Sequence, residues 1–305
     1  MHASPRNEGL GGGTRGVLLA LAATVIWSGN FIVARALADS MPPVSVSFAR
    51  WLVATCVLLP FGLGPLRREW PVVRAHLVYF CVTGFVGVSV FNTFIYVAGR
   101  TTAALNMALI ATSSPIFIIL FSRVFLGEAV TVRRLAGLGT AVTGIVVLVT
   151  RGDLARLSTL TFTSGDLWMV AASMLFAGYS VLVRKRPAGV GQTTFLMATF
   201  IPGLLGVLPM LAWELSTGPM PVFTPQAVIG VLYIGLGASL IAYRCWNLAI
   251  AAIGPSRAAL IYYSLPAFSG LEALLLLGEP GDARPLRERR ADPGRHSGGH
   301  AGMTA

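Results

Sequence analysis

Amides, phenols and guanidinium groups set inside apolar runs can form a site for a polar solute. Turned to lipid, the same groups lack hydrogen-bond partners and cost free energy. This chain carries several of them at helical spacing. Trp27 and Asn30 are three apart and share a helix face; the amide offers a donor and an acceptor, and the indole a flat wall with one donor. Asn92 and Tyr96 are four apart, as are Tyr243 and Asn247, with Arg244 and Trp246 between the latter two. With Tyr179 and Tyr263 these give the candidate substrate-binding set: Trp27, Asn30, Asn92, Tyr96, Tyr179, Tyr243, Arg244, Asn247 and Tyr263. Helix-to-helix hydrogen bonds and aromatic packing are the alternative reading of each. Arg244 reads as a counter-charge for a carboxylate-bearing substrate or as an arginine snorkelling to the inner interface. Arg50 is ambiguous in the same way, nearer the outer side. Glu272, an acid inside a late apolar run, is the candidate for proton coupling, a headgroup or cation contact being the alternative. Pro115 and Pro266 each free a backbone carbonyl one turn earlier and are candidate hinges, or else fixed kinks; Ser113 and Ser264 lie two residues before them. Glu128 and Glu279 end apolar runs and read as structural contacts.

Other chemistries lack their residues. Cys56, Cys81 and Cys245 lie inside apolar runs. An odd number of cysteines without CxxC or a Cys/His cluster indicates neither a disulfide framework nor a metal site. GLGGGTRG near the N-terminus lacks the Gly-Lys-Ser/Thr of a P-loop. There is no HExxH frame and no GxSxG elbow. The expectation is a protein that is not an enzyme and takes no cofactor or metal.

The elements that position these groups must be membrane helices. Of 305 residues, 55% are hydrophobic and 11% charged, against roughly 25% charged in soluble proteins. Runs of the length needed to cross a bilayer core fall near 16–37, 44–63, 75–98, 103–122, 134–150, 166–183, 193–213, 226–250 and 257–277. They are continuously apolar, whereas barrel strands alternate, so the fold class is all-α integral membrane. The net charge is +11, but the basic residues sit at the ends of runs, a topology signal. No basic run has interleaved aromatics, which argues against nucleic acid. With the N-terminus inside, twelve basic residues fall in inner segments and four (Arg35, Arg100, Arg151, Arg156) in outer ones up to the ninth span. The bias predicts a cytoplasmic N-terminus.

The chain also resembles itself. GVLLALAATVIWSGNFIVAR from Gly16 aligns with GDLWMVAASMLFAGYSVLVR from Gly165, at an offset of 149. ALIATSSPIFIILFSRVFLGE, ending at Glu128, aligns with ALIYYSLPAFSGLEALLLLGE, ending at Glu279, with 10 of 21 positions identical at an offset of 151. Asn30 then corresponds to Tyr179, and Asn92 and Tyr96 to Tyr243 and Asn247. A duplication of five-span units puts the halves in opposite senses, an inverted repeat with its site at the repeat interface. The expected organisation is a cytoplasmic tail at 1–15, a first repeat at 16–151, a second at 165–279 with four spans, and a polar Arg/Pro/Gly tail at 280–305. That tail reads as disordered, or as a frame-shifted remnant of a missing tenth span.

The Trp/Asn-bearing first run, Pro43 followed by Arg50, and the duplicated Pro-to-LGE pattern closing each fourth run occur in order. Over residues 16–279 they resemble the EamA-type members of the drug/metabolite transporter superfamily. The resemblance implies a bacterial inner-membrane carrier with a ten-helix plan of two five-helix halves. It implies secondary transport, by export, of small metabolites such as amino acids or drug-like compounds. The expected mechanism is alternating access without ATP, with protons as the candidate coupling ion. Gly137/Ala141 and Thr140/Gly144 have small-xxx-small spacing, a weak pointer to a homodimer. The rival readings are a membrane scaffold that transports nothing and an inactive, truncated carrier.

Overall fold

The computed structural model describes residues 10–132, 135–140, 143–144 and 163–277, which are helical and contain no strand. In chain order the elements are α1 (Leu10–Leu37) and α2 (Pro43–Ala75); α3 (Leu77–Gly84), a π-helical turn (Phe85–Val90) and α4 (Phe91–Ala98); and α5 (Ala104–Ala111) and α6 (Ser114–Leu126). Then come α7 (Ser164–Arg184) and α8 (Gln192–Thr217); α9 (Pro225–Leu232), a second π-helical turn (Tyr233–Ile241) and α10 (Ala242–Ile253); and α11 (Pro255–Tyr262) and α12 (Leu265–Leu277). Among the described residues, seven stretches are long and apolar enough to cross a membrane: 12–37, 43–75, 77–98, 104–126, 164–184, 192–217 and 225–253.

Three boundaries differ from the sequence expectation. The second span does not end near residue 63 but runs on to Ala75 through Pro60, Pro65 and Pro71. The helix leaves the apolar zone at Arg67, Arg68 and Glu69 and continues without a break. The fourth span breaks at Thr112–Ser113 and the ninth at Tyr263–Ser264. Most of the fifth span and the whole 280–305 tail lie outside the described residues.

Local signals fix several helix starts. Thr163 and Asp166 form a capping box: Thr163 Oγ1 accepts the Asp166 N–H at 3.3 Å, and Asp166 Oδ2 accepts the Thr163 N–H at 2.8 Å. Thr102 Oγ1 donates to Asp166 Oδ1 at 2.9 Å and ties this start to the end of α4. Prolines open α2, α9 and α11, where a missing N–H costs nothing.

Packing runs antiparallel between helices that correspond in the sequence repeat. Glu214, near the end of α8, accepts hydrogen bonds at the start of α2: from Val44 N at 2.9 Å, Ser45 N at 2.7 Å and Ser45 Oγ at 2.9 Å. Glu69, near the end of α2, accepts from Gly191 N at 2.7 Å, at the start of α8. Each helix thus caps the other with a carboxylate, which both the orphan amides and the helix dipole favour. The other neighbour of α8 also comes close. A Cβ on Gly84 of α3 would strike the Thr199 carbonyl, and one on Gly203 would strike the Val88 side chain of the first π-helical turn. Tyr79 Oη donates to Leu182 O at 2.5 Å while Phe94 packs edge-on to Trp168 at 4.7 Å, so α3–α4 runs antiparallel to α7.

Candidate functional site

At the centre of the bundle, residues separated by 149 or 151 positions face each other. Trp27 on α1 meets Phe176 on α7 edge-on at 5.3 Å, and Trp51 on α2 meets Phe200 on α8 at 4.8 Å. Asn92 Nδ2 on α4 donates to Tyr243 Oη on α10 at 3.0 Å. The two π-helical turns supply acceptors at corresponding places. Gly87 O takes Tyr243 Oη at 2.6 Å and Asn92 Nδ2 at 3.1 Å; Ala238 O takes Trp27 Nε1 at 2.8 Å. A π turn disrupts the regular ladder, and site side chains bond a carbonyl within each turn.

Towards the C-terminal end of α1 lies a polar cluster around Arg50, which is only 1% exposed. Arg50 Nε donates to Ser239 Oγ at 2.7 Å; Nη1 donates to Asn30 Oδ1 at 3.1 Å and to Tyr96 Oη at 2.5 Å. Tyr96 Oη in turn donates to Asn30 Oδ1 at 3.2 Å. Towards the other end, Tyr179 Oη donates to Asn247 Oδ1 at 3.0 Å, and Trp246 Nε1 donates to Ser180 Oγ at 3.2 Å. The Tyr-to-Asn bond therefore occurs twice at corresponding positions, with the residue types exchanged: Asn30 with Tyr96, and Tyr179 with Asn247. Arg50 breaks the correspondence. Its counterpart at an offset of 149 is Thr199, whose hydroxyl turns back to Phe195 O at 2.9 Å and Leu196 O at 3.0 Å.

A cleft with room for about one water lies beside Asn30, lined by Trp27, Asn30, Phe91, Asn92, Phe176 and Tyr262 among others. Of the sequence candidates, Trp27, Asn30, Asn92, Tyr96, Tyr179, Tyr243 and Asn247 are brought together, all buried. Arg244 is not. Its side chain is exposed on the outside of the bundle, with one long contact, to Thr193 Oγ1 at 3.5 Å. It sits about 100° around the helix from Tyr243, and Tyr243 takes the inward face. Tyr263 is likewise displaced by its neighbour: Tyr262 lines the cleft and packs on Trp27, Phe176 and Trp246. Glu272 is half-buried on α12, where a Cβ on Gly29 of α1 would lie 3.3 Å from its Oε2. Pro115 and Pro266 fall in the first turns of α6 and α12, just after the two breaks. Those breaks close with like turns, Ser113 N to Ile110 O at 2.9 Å and Ser264 N to Ile261 O at 3.0 Å.

Sequence reading left open the inward arginine and missed Ser239 and the π-turn carbonyls. Arg50 and Arg244 are each the lone charge of a long apolar run, so composition cannot separate them. Backbone acceptors leave no mark in residue type.

The sequence model of the EamA-like transporter family matches residues 14–150 and again residues 163–283. The chain belongs to the EamA-like transporter family. This EamA protein is 29% identical to an uncharacterized transporter of Archaeoglobus fulgidus, over 87% of this chain and 90% of that one. It is 27% identical to a probable terminal-alkyne amino-acid exporter of Streptantibioticus cattleyicolor, over 85% of each. It is also 27% identical to the uncharacterized inner membrane transporter YedA of Escherichia coli K12, over 87% of this chain and 83% of that one. A solved crystal structure matches its fold with a TM-score of 0.68 at 22% identity, over 88% of this chain and 90% of that one. The EamA chain is thus a multi-pass membrane protein whose named relatives are transporters.

Proposed function

We propose that this chain is a secondary carrier that exports a small polar or amphipathic metabolite across the inner membrane by alternating access. The single observation carrying the reading is the pair of buried Tyr–Asn bonds at corresponding places in the two halves, beside a central cleft that Asn30 lines. A scaffold would not require matched polar pairs buried at the centre of the bundle. A carrier needs a site that either half can expose in turn. The two halves form an inverted repeat in this reading, which the antiparallel α2/α8 pair supports. The N-terminus is cytoplasmic, and the Arg50 cluster is nearer the outside. The breaks before Pro115 and Pro266 act as hinges, and Glu272 is the candidate for proton coupling. A homodimer is part of the proposal only through the small-residue spacing at 137–144. One named relative is a probable amino-acid exporter, and amino acids are therefore the first substrates to try.

The test is counterflow in proteoliposomes with radiolabelled amino acids and common cationic drugs. Saturable exchange that is lost on replacing Asn30, Asn92 or Asn247 singly by Ala, at normal membrane levels, supports the carrier. Normal membrane levels with unchanged exchange in all three variants would favour a scaffold.

A further inference from the structure

We infer that the Arg50 cluster is an anion subsite that receives the carboxylate of the transported solute. The inference rests on the carrier reading above. Arg50 is the lone charged residue between Pro43 and Leu66, and its side chain is buried within the bundle. Its partners Ser239, Asn30 and Tyr96 are all neutral, and among the described residues no carboxylate bonds it. A buried charge is costly unless paired. The three bonds hold the guanidinium in place, as do the faces of Trp51 and Tyr96, whose ring centres lie 5.2 and 5.7 Å from its central carbon. Nη2 is buried and has no hydrogen-bond partner. A planar cation is thus fixed through Nε and Nη1 while both N–H bonds of Nη2 remain free. A structural arginine would have these matched. A donor held rigid before binding is what recognition of a carboxylate asks for.

Asn30 connects this group to the cleft, since it accepts from Arg50 and also lines the cavity beside Trp27, Phe91 and Phe176. The solute is therefore an amphipathic monoanion, or a zwitterion, with its carboxylate on Arg50 and its apolar part against those rings. No second cation touches the cluster among the described residues, so a dianionic phosphate would leave a net buried charge, whereas one carboxylate neutralises Arg50. An amine lacking a carboxylate would be repelled. Thr199 at the corresponding position bonds its own helix and supplies no counterpart to Arg50.

The test uses the full chain in liposomes. Counterflow of radiolabelled L-leucine, L-phenylalanine and L-tryptophan is compared with that of their methyl esters and of phenethylamine. At least one acid should exchange about tenfold or more faster than its ester, the ratio expected for one charge-assisted bond. In Arg50→Gln that ratio should collapse, and Arg50→Lys should restore part of it. The acid-against-ester comparison is made on the unaltered protein, so a variant that fails to fold does not remove the test. Esters or the amine exchanging as fast as the acids would overturn the anion subsite and leave the carrier standing. Exchange by neither class would overturn the carrier reading itself.

Discussion

Glu214 offers the sharpest test of how the two halves are joined. It is the sole acceptor the structure gives to the Val44 and Ser45 amides at the start of α2, and it also takes the Ser45 hydroxyl. The carboxylate is 9% exposed and the amides belong to residues 8% and 5% exposed, so water is a poor substitute. Losing a helix cap costs about 1 kcal/mol in ordinary cases. An unpartnered buried donor adds about 1–3 kcal/mol, and loss of the favourable dipole contact adds up to about 1 more. Glu214→Ala should therefore destabilise by about 2–5 kcal/mol, which for a chain of this size lowers the melting temperature by roughly 3–8 °C. Glu214→Gln keeps one acceptor oxygen and should lose about half as much. Ser45→Ala removes one bond of three and should cost about 1 kcal/mol. The exposed Asp39, at the same end of the bundle, is the control and should be neutral on replacement by Ala. Fluorescence-detected melting in mild detergent reads all four variants. If Glu214→Ala melts within about 1 °C of the parent, the cap contributes nothing and the joint between α2 and α8 lies elsewhere.

Tyr243→Phe removes the hydroxyl shared by Asn92 and Gly87 O, and should cost about 1–2 kcal/mol in melting experiments; a smaller additional loss in the double variant with Asn92→Ala would identify the coupling. Gly203→Ala pushes a Cβ into Val88, and should lower folded yield in membranes by size-exclusion profile, whereas Gly64→Ala, with nothing within 4 Å, should not. Arg244→Gln should alter counterflow by less than about twofold, since its contact to Thr193 is long and exposed, while Arg50→Gln should reduce it far more. Maleimide labelling of Arg67→Cys and Lys185→Cys in intact and inverted vesicles should modify both from one face; labelling from opposite faces would break the inverted arrangement.

Much of the fold was legible in the sequence because lipid leaves few options. An apolar run of about 20 residues must be a helix that satisfies its own backbone. Spacing also found the buried pairs, since residues three or four apart share a face. What spacing could not choose was which face. Arg50 and Arg244 each follow a half-buried or buried residue in a long apolar run, and only the packing of α2 against α8 and the second π-helical turn turns one inward. The same logic already contained the exclusion of Arg244. If Tyr243 and Asn247 face the centre, a residue one position on from Tyr243 points about 100° away. Tyr262 over Tyr263 is the same one-residue phase problem at the break before Pro266. The π turns were illegible for another reason: their contribution is two carbonyls, at Gly87 and Ala238, and any residue carries one.

The correspondence between the halves is closest where they touch, and its one large breach is Arg50. Trp27 meets Phe176, Trp51 meets Phe200 and Asn92 meets Tyr243, so a near two-fold relation runs through the centre of the bundle. Replacing a threonine position by arginine there adds a charge that neither packing nor the described hydrogen bonds neutralise. Stability alone favours a small polar residue that bonds its own helix, as Thr199 does. A fixed cation on one side only has a use in a carrier. In the proposed carrier it would make the two faces kinetically unequal, because an anion meets its partner nearer one membrane face than the other, while the gradient still sets the net direction. Moving the charge across, with Arg50→Thr and Thr199→Arg in one chain, should then preserve the preference for acids over esters. It should also shift the half-saturation on the two faces in opposite senses, read by exchange from oppositely oriented vesicles. A chain whose two-sided kinetics were untouched by the swap would mean that the arginine's position within the path is irrelevant to transport.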